Sequence, residues 1–261
     1  MRCVKTWESF GSNEQTQRNV NEMATKKTAK KKTKKASKAS PAIPKGAQPL
    51  KIPKSPRTLL IASIQGTTPL VTHRFPEKAK RQIREKQQNV AKLPKGKRNP
   101  QEEFEESVYI FDDGGYGFPT GALAESIVGA SVDVMPKCKS MIRRNLFVED
   151  DGFDGRDDRG LIRVDTEPLL REDVVRLAGA SRPADLRYRG GYAPGWEATA
   201  RIWFDERMLS REQVIQLVQI AGESIGLCEG RPEKTLSMGW GKFQITAVHI
   251  IEPEKPLKIA S

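Results

Sequence analysis

Cysteine, histidine and uninterrupted apolar sequence are all scarce in this chain. Its 261 residues include 3 Cys and 2 His. Cys3, Cys138 and Cys228 are odd in number, far apart and in no CxxC pair, so neither a disulfide framework nor a zinc knuckle is expected. A hydrolytic triad needs a histidine base oriented by a carboxylate. The two histidines offer little for it: His249 lies in the alternating TAVHII and reads as a packed or edge residue, and His73, in TTPLVTHRF, has no evident partner. No run approaches the ~18 apolar residues of a membrane span. The opening MRCVKTWESFGSNEQ has no apolar core of a secretory signal, so a cytoplasmic location and no membrane partner are expected. A Walker loop, a dinucleotide fingerprint and an HExxH helix are all missing, so the expectation is no cofactor, no metal and no catalytic residues.

Charge is present in quantity but unevenly placed. Lys and Arg number 45 against 33 Asp and Glu, a formal +12. Residues 1–57 hold 15 of the cations and 3 of the acids, so this first fifth carries the whole excess and the remainder is neutral. The run KKTAKKKTKKASK (26–38) lacks aromatic and branched apolar residues; it buries too little to offset the entropy of ordering and is expected to be disordered. Such a run neutralises phosphates or serves as a solubility tail. Met23, before ATKKTAKKK, reads as a natural start. Five prolines between Pro41 and Pro56 form an extended linker. The expected divisions are a tail and linker over 1–56, a domain over 57–253 with a charged insertion at 76–106, and a C-terminal tail over 254–261.

Within the domain, TLLIASIQG (58–66) reads as a buried strand bounded by Pro56 and the turn Gly66-Thr-Thr-Pro69. The segment PEKAKRQIREKQQNVAKL (76–93) has helical character, and an acidic patch from Glu102 to Asp113 follows it. The two charged segments either neutralise each other or leave the basic one facing nucleic acid. SVYIF (107–111) reads as a strand and Thr120 to Ala130 as a helix with Leu123, Ile127 and Val128 inward. MIRRNLFVED (141–150) and GLIRVDTE (160–167) read as two strands joined by a solvated loop, DGFDGRDDRG, whose spacing does not match a calcium loop. WEATARIWFDE alternates, with Ala198, Ala200, Ile202 and Phe204 on one face. SREQVIQLVQIAGESIG (210–226) opens with the S-x-x-Q spacing of a capping box and carries the stripe Val214, Leu217, Val218, Ala221. The element order predicts an α+β fold of one mostly antiparallel sheet and two packed helices.

Two segments carry binding chemistry. In SRPADLRYRGGYAPGW (181–196), Arg182, Arg187 and Arg189 interleave with Tyr188, Tyr192 and Trp196, a combination that grips phosphates and stacks bases; the alternative is a loop whose aromatics cap the core. In GLCEGRPEKTLSMGWGKF, glycines permit close backbone approach while Arg231, Lys234 and Lys242 supply cations beside Trp240.

The blocks IQGTTPLVTHRF, YGFPTGALAESIV and EGRPEKTLSMGWGKF, in that order over residues 57–250, resemble those of a widespread group of uncharacterised bacteriophage proteins. More distantly they are similar to the RAMP superfamily of CRISPR-associated RNA-binding proteins. In that superfamily a first strand ends in a Pro-containing turn, a Gly-Pro turn opens the first helix, and a Gly-rich loop precedes the last strand. Gly66 to Pro69, Gly117 to Gly121 and Gly226 to Phe243 occupy those places here. The resemblance implies a ferredoxin/RRM-like core, a host-cytoplasmic protein, and single-stranded nucleic acid held along the sheet and Gly-rich loop. Cys228 stands where the phage relatives usually have Gly. The leading expectation is a non-enzymatic single-stranded nucleic-acid-binding protein gripping with Arg182, Arg187, Tyr188, Arg189, Tyr192, Arg231, Lys234, Trp240 and Lys242. The alternatives are a self-assembling or virion-associated structural protein, with homo-oligomers or filaments, and a metal-independent ribonuclease using His73.

Overall fold

A computed structural model describes residues 57–88, 97–176, 183–235 and 238–252. All of them fall in the second of the two units into which the chain divides, Lys54–Ser261. The Lys-rich run, the proline linker, Met23, Arg182 and the segment 254–261 lie outside the described residues.

The core is a four-stranded antiparallel sheet with two helices on one face. Its strands are β1 (Arg57–Gly66), β5 (Leu146–Glu149), β10 (Glu197–Asp205) and β11 (Phe243–Ile251), in the order β11-β1-β10-β5. The helices are α3 (Thr120–Val134), between β1 and β5, and α5 (Arg211–Ile220), between β10 and β11. Chain order is therefore strand, helix, strand, strand, helix, strand, with the first and third strands at the centre. β1 has a partner on each side, Leu60 opposite Ile202 and Ile250. Residues at alternate positions share a face, and Leu60, Ala62 and Ile64 join Ala198, Ala200, Ile202 and Phe204 beneath the helices, all at most 4% exposed. Leu123, Ile127, Val214, Leu217 and Val218 close the layer from above. Ser210 caps α5 as its spacing predicts: the hydroxyl accepts from Gln213 N at 3.3 Å and the Gln213 side chain accepts from Ser210 N at 2.9 Å. A π turn, Ala221–Ile225, continues the helix.

Two further sheets grow from the connections. β2 (Leu70–Thr72), β8 (Leu169–Arg176) and β9 (Ala184–Tyr192) form one, in the order β2-β9-β8. β3 (Tyr109–Ile110), β4 (Tyr116–Pro119), β6 (Gly152–Phe153) and β7 (Gly160–Arg163) form the other. Helices α1 (Glu77–Gln87) and α2 (Pro100–Ser107) lie between β2 and β3. Asn99 caps α2, accepting from Gln101 N at 3.1 Å, with Pro100 in the first turn where its missing N–H costs nothing.

Three readings of the sequence need correction. The alternative of a loop over 181–196 fails where the structure describes it: residues 184–192 form β9, paired over eight positions with β8, whose LLREDVVR lacks the apolar alternation that marks a half-buried strand. The segment 141–150 is only half strand, because 139–145 form a short helix, α4 (Lys139–Asn145), before β5. β5 then pairs with β10 rather than with the strand beginning at Gly160, which pairs with β4 and β6. Nor is DGFDGRDDRG fully solvated. Asp154 is wholly buried and faces the buried Arg74 at 3.3 Å, with Asp157 at 3.7 Å from the same nitrogen.

Candidate functional site

The Gly-rich loop is stitched to the turn after β1 by backbone hydrogen bonds. Thr67 N donates to Lys242 O at 2.9 Å, Gly241 N to Pro69 O at 2.8 Å and Glu229 N to Val71 O at 3.1 Å, while Lys242 N donates to Thr68 Oγ1 at 2.9 Å. Trp196 lies beneath this junction. Its indole N–H donates to Thr68 O at 3.0 Å, and its ring meets Phe118 and Phe243 edge-on at 6.2 and 6.4 Å. A side chain at Gly66 would overlap that ring. The three sequence blocks thus converge on one buried tryptophan, each supplying a contact to it.

Above the junction, Trp240 is flanked by guanidinium groups. The Arg171 carbon lies 4.5 Å and the Arg189 carbon 5.6 Å from its ring centroid. Gly230, at φ +64, closes on the same ring, where an added Cβ would lie 2.3 Å from a ring carbon. Arg189 is 2% exposed and donates to Asp173 Oδ2 at 3.0 Å, while Arg171 donates to the other Asp173 oxygen at 2.9 Å. Glu229 adds a contact at 3.6 Å. This arginine, tryptophan and carboxylate cluster ties the Gly-rich loop to the β8–β9 hairpin.

The predicted grip therefore divides. Arg189 is a buried member of the cluster, and Tyr192 is a core residue, 1% exposed, whose hydroxyl donates to Gly117 O at 3.4 Å. Neither offers a face to a ligand, because the Arg/Tyr alternation falls on a packed strand rather than a loop. Trp240 has its ring engaged by arginines. Arg231, Lys234 and Lys242 stay on the Gly-rich loop, the first two beside Glu233 at 3.0 and 4.0 Å. Cys228, on the same loop, has φ +55, the left-handed region that favours glycine, and burial pushes its thiol up to about 12.

Arg187 and Tyr188 lie elsewhere, in a cleft of about 540 Å³ bounded by α1, α2 and residues Asp185, Arg187 and Tyr188 of β9, with His73 in its wall. Burial holds the His73 pKa below its ordinary value; Arg187 and Arg189 act in the same direction, and Glu229 and Glu103 oppose them. The charged segments partly neutralise each other here, since Arg98 pairs with Glu103 at 2.6 Å and with Asp185 at 2.8 Å.

One surface escaped the sequence reading. The face of the main sheet opposite α3 and α5 carries no helix or strand among the described residues. Register sets its rows: Ile251, Leu59, Trp203 and Phe147 in one; His249, Ile61, Arg201 and Glu149 in the next. Phe147 is 53% exposed, and the Trp203 indole N–H donates to Glu149 at 2.7 Å. Arg201 is paired with Asp151. Beyond these rows lie Thr199 and Thr246, and a row of Gln244, Gln65 and Glu197 in which the Gln65 amide donates to Glu197 at 3.0 Å. The signal was present as the outward half of the alternation in WEATARIWFDE, of which only the inward half was used.

No family model and no curated protein matches this chain. The solved structures that match include the following two. One is a chain in the cryo-EM structure of the Type III-B Cmr-beta bound to cognate target RNA, with TM-score 0.48, 10% identity and coverage of 76% of this chain. This chain spans 61% of that chain's length. The other is Cmr6 from Pyrococcus furiosus, with TM-score 0.37, 12% identity and coverage of 72% of this chain and 98% of that one. No helix among the described residues is long and apolar enough to cross a membrane.

Proposed function

We propose that this chain is a non-enzymatic single-stranded nucleic-acid-binding protein, with a ferredoxin-like, RAMP-like core whose open sheet face is the platform. The observation that carries the reading is the uncovered face itself. It sets Trp203 and Phe147 side by side, Arg201, His249 and Glu149 in the next row, and amide, hydroxyl and Glu197 carboxylate groups beyond them. Aromatics on a four-stranded sheet stack bases, and each is worth about 1–3 kcal/mol per base. The Gly-rich loop enters this sheet directly, because Lys242 precedes β11 and is bonded to the turn that ends β1. Lys242, Arg231 and Lys234 then meet phosphates at the edge of the platform, and the Lys-rich tail adds sequence-independent attraction. The phage role in replication, recombination or RNA handling rests on the three resembling sequence blocks.

The test is the affinity of the full chain for labelled single-stranded RNA, single-stranded DNA and duplex DNA, with wild type against the Trp203→Ala/Phe147→Ala pair. The expected result is single-strand binding weakened about tenfold or more by the pair. Equal affinity of the two proteins would refute the platform. A second reading, a self-assembling structural protein, is favoured by one observation: the β8–β9 hairpin leaves Leu170, Val174 and Leu186 at least 40% exposed on one face. Light scattering without nucleic acid decides it, assembly in its absence supporting the structural role.

A further inference from the structure

The cleft beside His73 is walled by unlike charges and remains unused by the platform. On one wall, α1 presents Lys78, with Lys97 nearby; neither has an ion-pair partner among the described residues. On the other, α2 presents Glu102 and Glu106, likewise unpaired, since Arg98 is taken by Glu103 and Asp185. Tyr188 also lines the cleft, half-buried, its hydroxyl without a partner among the described residues, and Arg187 is held at 4.0 Å by Asp185. His73 Nδ1 is buried in this wall without a hydrogen bond. A buried polar atom left unmade is costly and calls for an explanation.

These groups select a ligand by chemistry. The volume, about 540 Å³, falls within the ~300–1,000 Å³ of small-molecule sites. Three free or weakly held cations ask for an anion, and an aromatic ring asks for a flat face. Two unpaired carboxylates accept hydrogen bonds and cannot donate them. A base whose pairing edge offers adjacent donors fits such acceptors. Guanine does so with N1–H and N2–H₂. Adenine and cytosine place an acceptor beside their amino group, and uracil has one donor between two acceptors.

We propose that the cleft is a guanine pocket: it takes one unstacked guanine nucleotide of the bound strand, with the base on Tyr188, its donor edge on Glu106 and Glu102, and its phosphate on Lys78, Lys97 and Arg187. This rests on the single-strand reading but uses residues outside the sheet that carries Trp203 and Phe147. It gives the protein a base preference that an aromatic sheet alone does not supply.

The experiment uses the full chain and three labelled oligouridylate 12-mers: one unmodified, one with a single internal guanine, and one with adenine at that position. Guanine is expected to tighten binding about tenfold, as a good bidentate base contact does, and adenine less than twofold. Glu106→Gln abolishes the guanine gain and leaves the unmodified oligomer's affinity unchanged, and Tyr188→Ala also abolishes the gain. If the oligomers bind but guanine adds less than twofold, or if Glu106→Gln leaves the gain intact, the pocket is overturned and the platform stands. If no oligomer binds, the single-strand reading fails, and calorimetric titration with guanosine 5′-monophosphate decides the pocket separately. Saturable binding weakened by Glu106→Gln supports it; no heat overturns it.

Discussion

Removing the Asp173 carboxylate tests whether Arg189 belongs to the fold or to a ligand. In Asp173→Ala the buried Arg189 keeps one counter-ion, Glu229 at 3.6 Å, whose side chain is 45% exposed. Taking away one partner of a buried pair costs about 3–5 kcal/mol, because the remaining charge is left uncompensated. Glu229, although exposed and screened, still compensates part of the charge, so the expected loss is near the lower end, about 3 kcal/mol. For a folded unit of roughly 200 residues, that lowers Tm by about 6–12 °C. Urea unfolding followed by circular dichroism is the assay, with the denaturant slope unchanged if only stability moves. The double change Arg189→Met/Asp173→Leu should recover most of the loss, since apolar replacement of a buried pair is often neutral. A loss under 1 kcal/mol in Asp173→Ala would refute the reasoning. So would an Arg189→Ala variant of wild-type stability and reduced nucleic-acid affinity.

Three other outcomes follow from the same geometry. Gly230→Ala places a methyl group against Trp240 at φ +64; left-handed backbone alone costs about 1–2 kcal/mol for a residue with a Cβ, so lowered stability and altered tryptophan fluorescence are expected. His73 has a lowered folded-state pKa, so the unfolded chain binds a proton first as pH falls: stability is complete above ~6.5 and declines below it, and His73→Gln should flatten that decline in thermal melts between pH 7 and 5. The Cys228 thiol, raised to about 12, should react with Ellman's reagent at pH 8 far more slowly than an unperturbed thiol, which a Cys228→Ser control quantifies.

The elements that were legible in the sequence are those whose side chains divide cleanly between core and solvent. β1 and β10 alternate, α5 carries both its cap and its stripe, and α3 places Leu123 and Ile127 inward; each pattern has a period that a window of residues reveals. The β8–β9 hairpin was illegible because it projects from the core, so LLREDVVR has no buried set to impose alternation. α4 was misread because seven residues are too few to show a helical period, and Met141 and Ile142 are equally at home in a strand. For the site, the sequence shows which residue types are present but not where the fold places them. Arg187 and Tyr188 reached a cleft, yet Arg189, two positions on, was claimed by Asp173 through a cross-strand pairing that no local pattern encodes. Trp203 and Phe147 become neighbours only through the register of β10 with β5.

The central claim is that the folded unit, neutral in formal charge, binds single strands itself rather than lending a scaffold to a basic tail. The most direct measurement is fluorescence anisotropy of the full chain with the lysines of the 26–38 run changed to glutamine, against a labelled single-stranded 12-mer and its duplex across a salt series. The account predicts saturable binding that prefers the single strand, weakens in Trp203→Ala/Phe147→Ala, and falls with log salt at a slope of about −2, as for three phosphates. Loss of all binding when the tail is neutralised would contradict it.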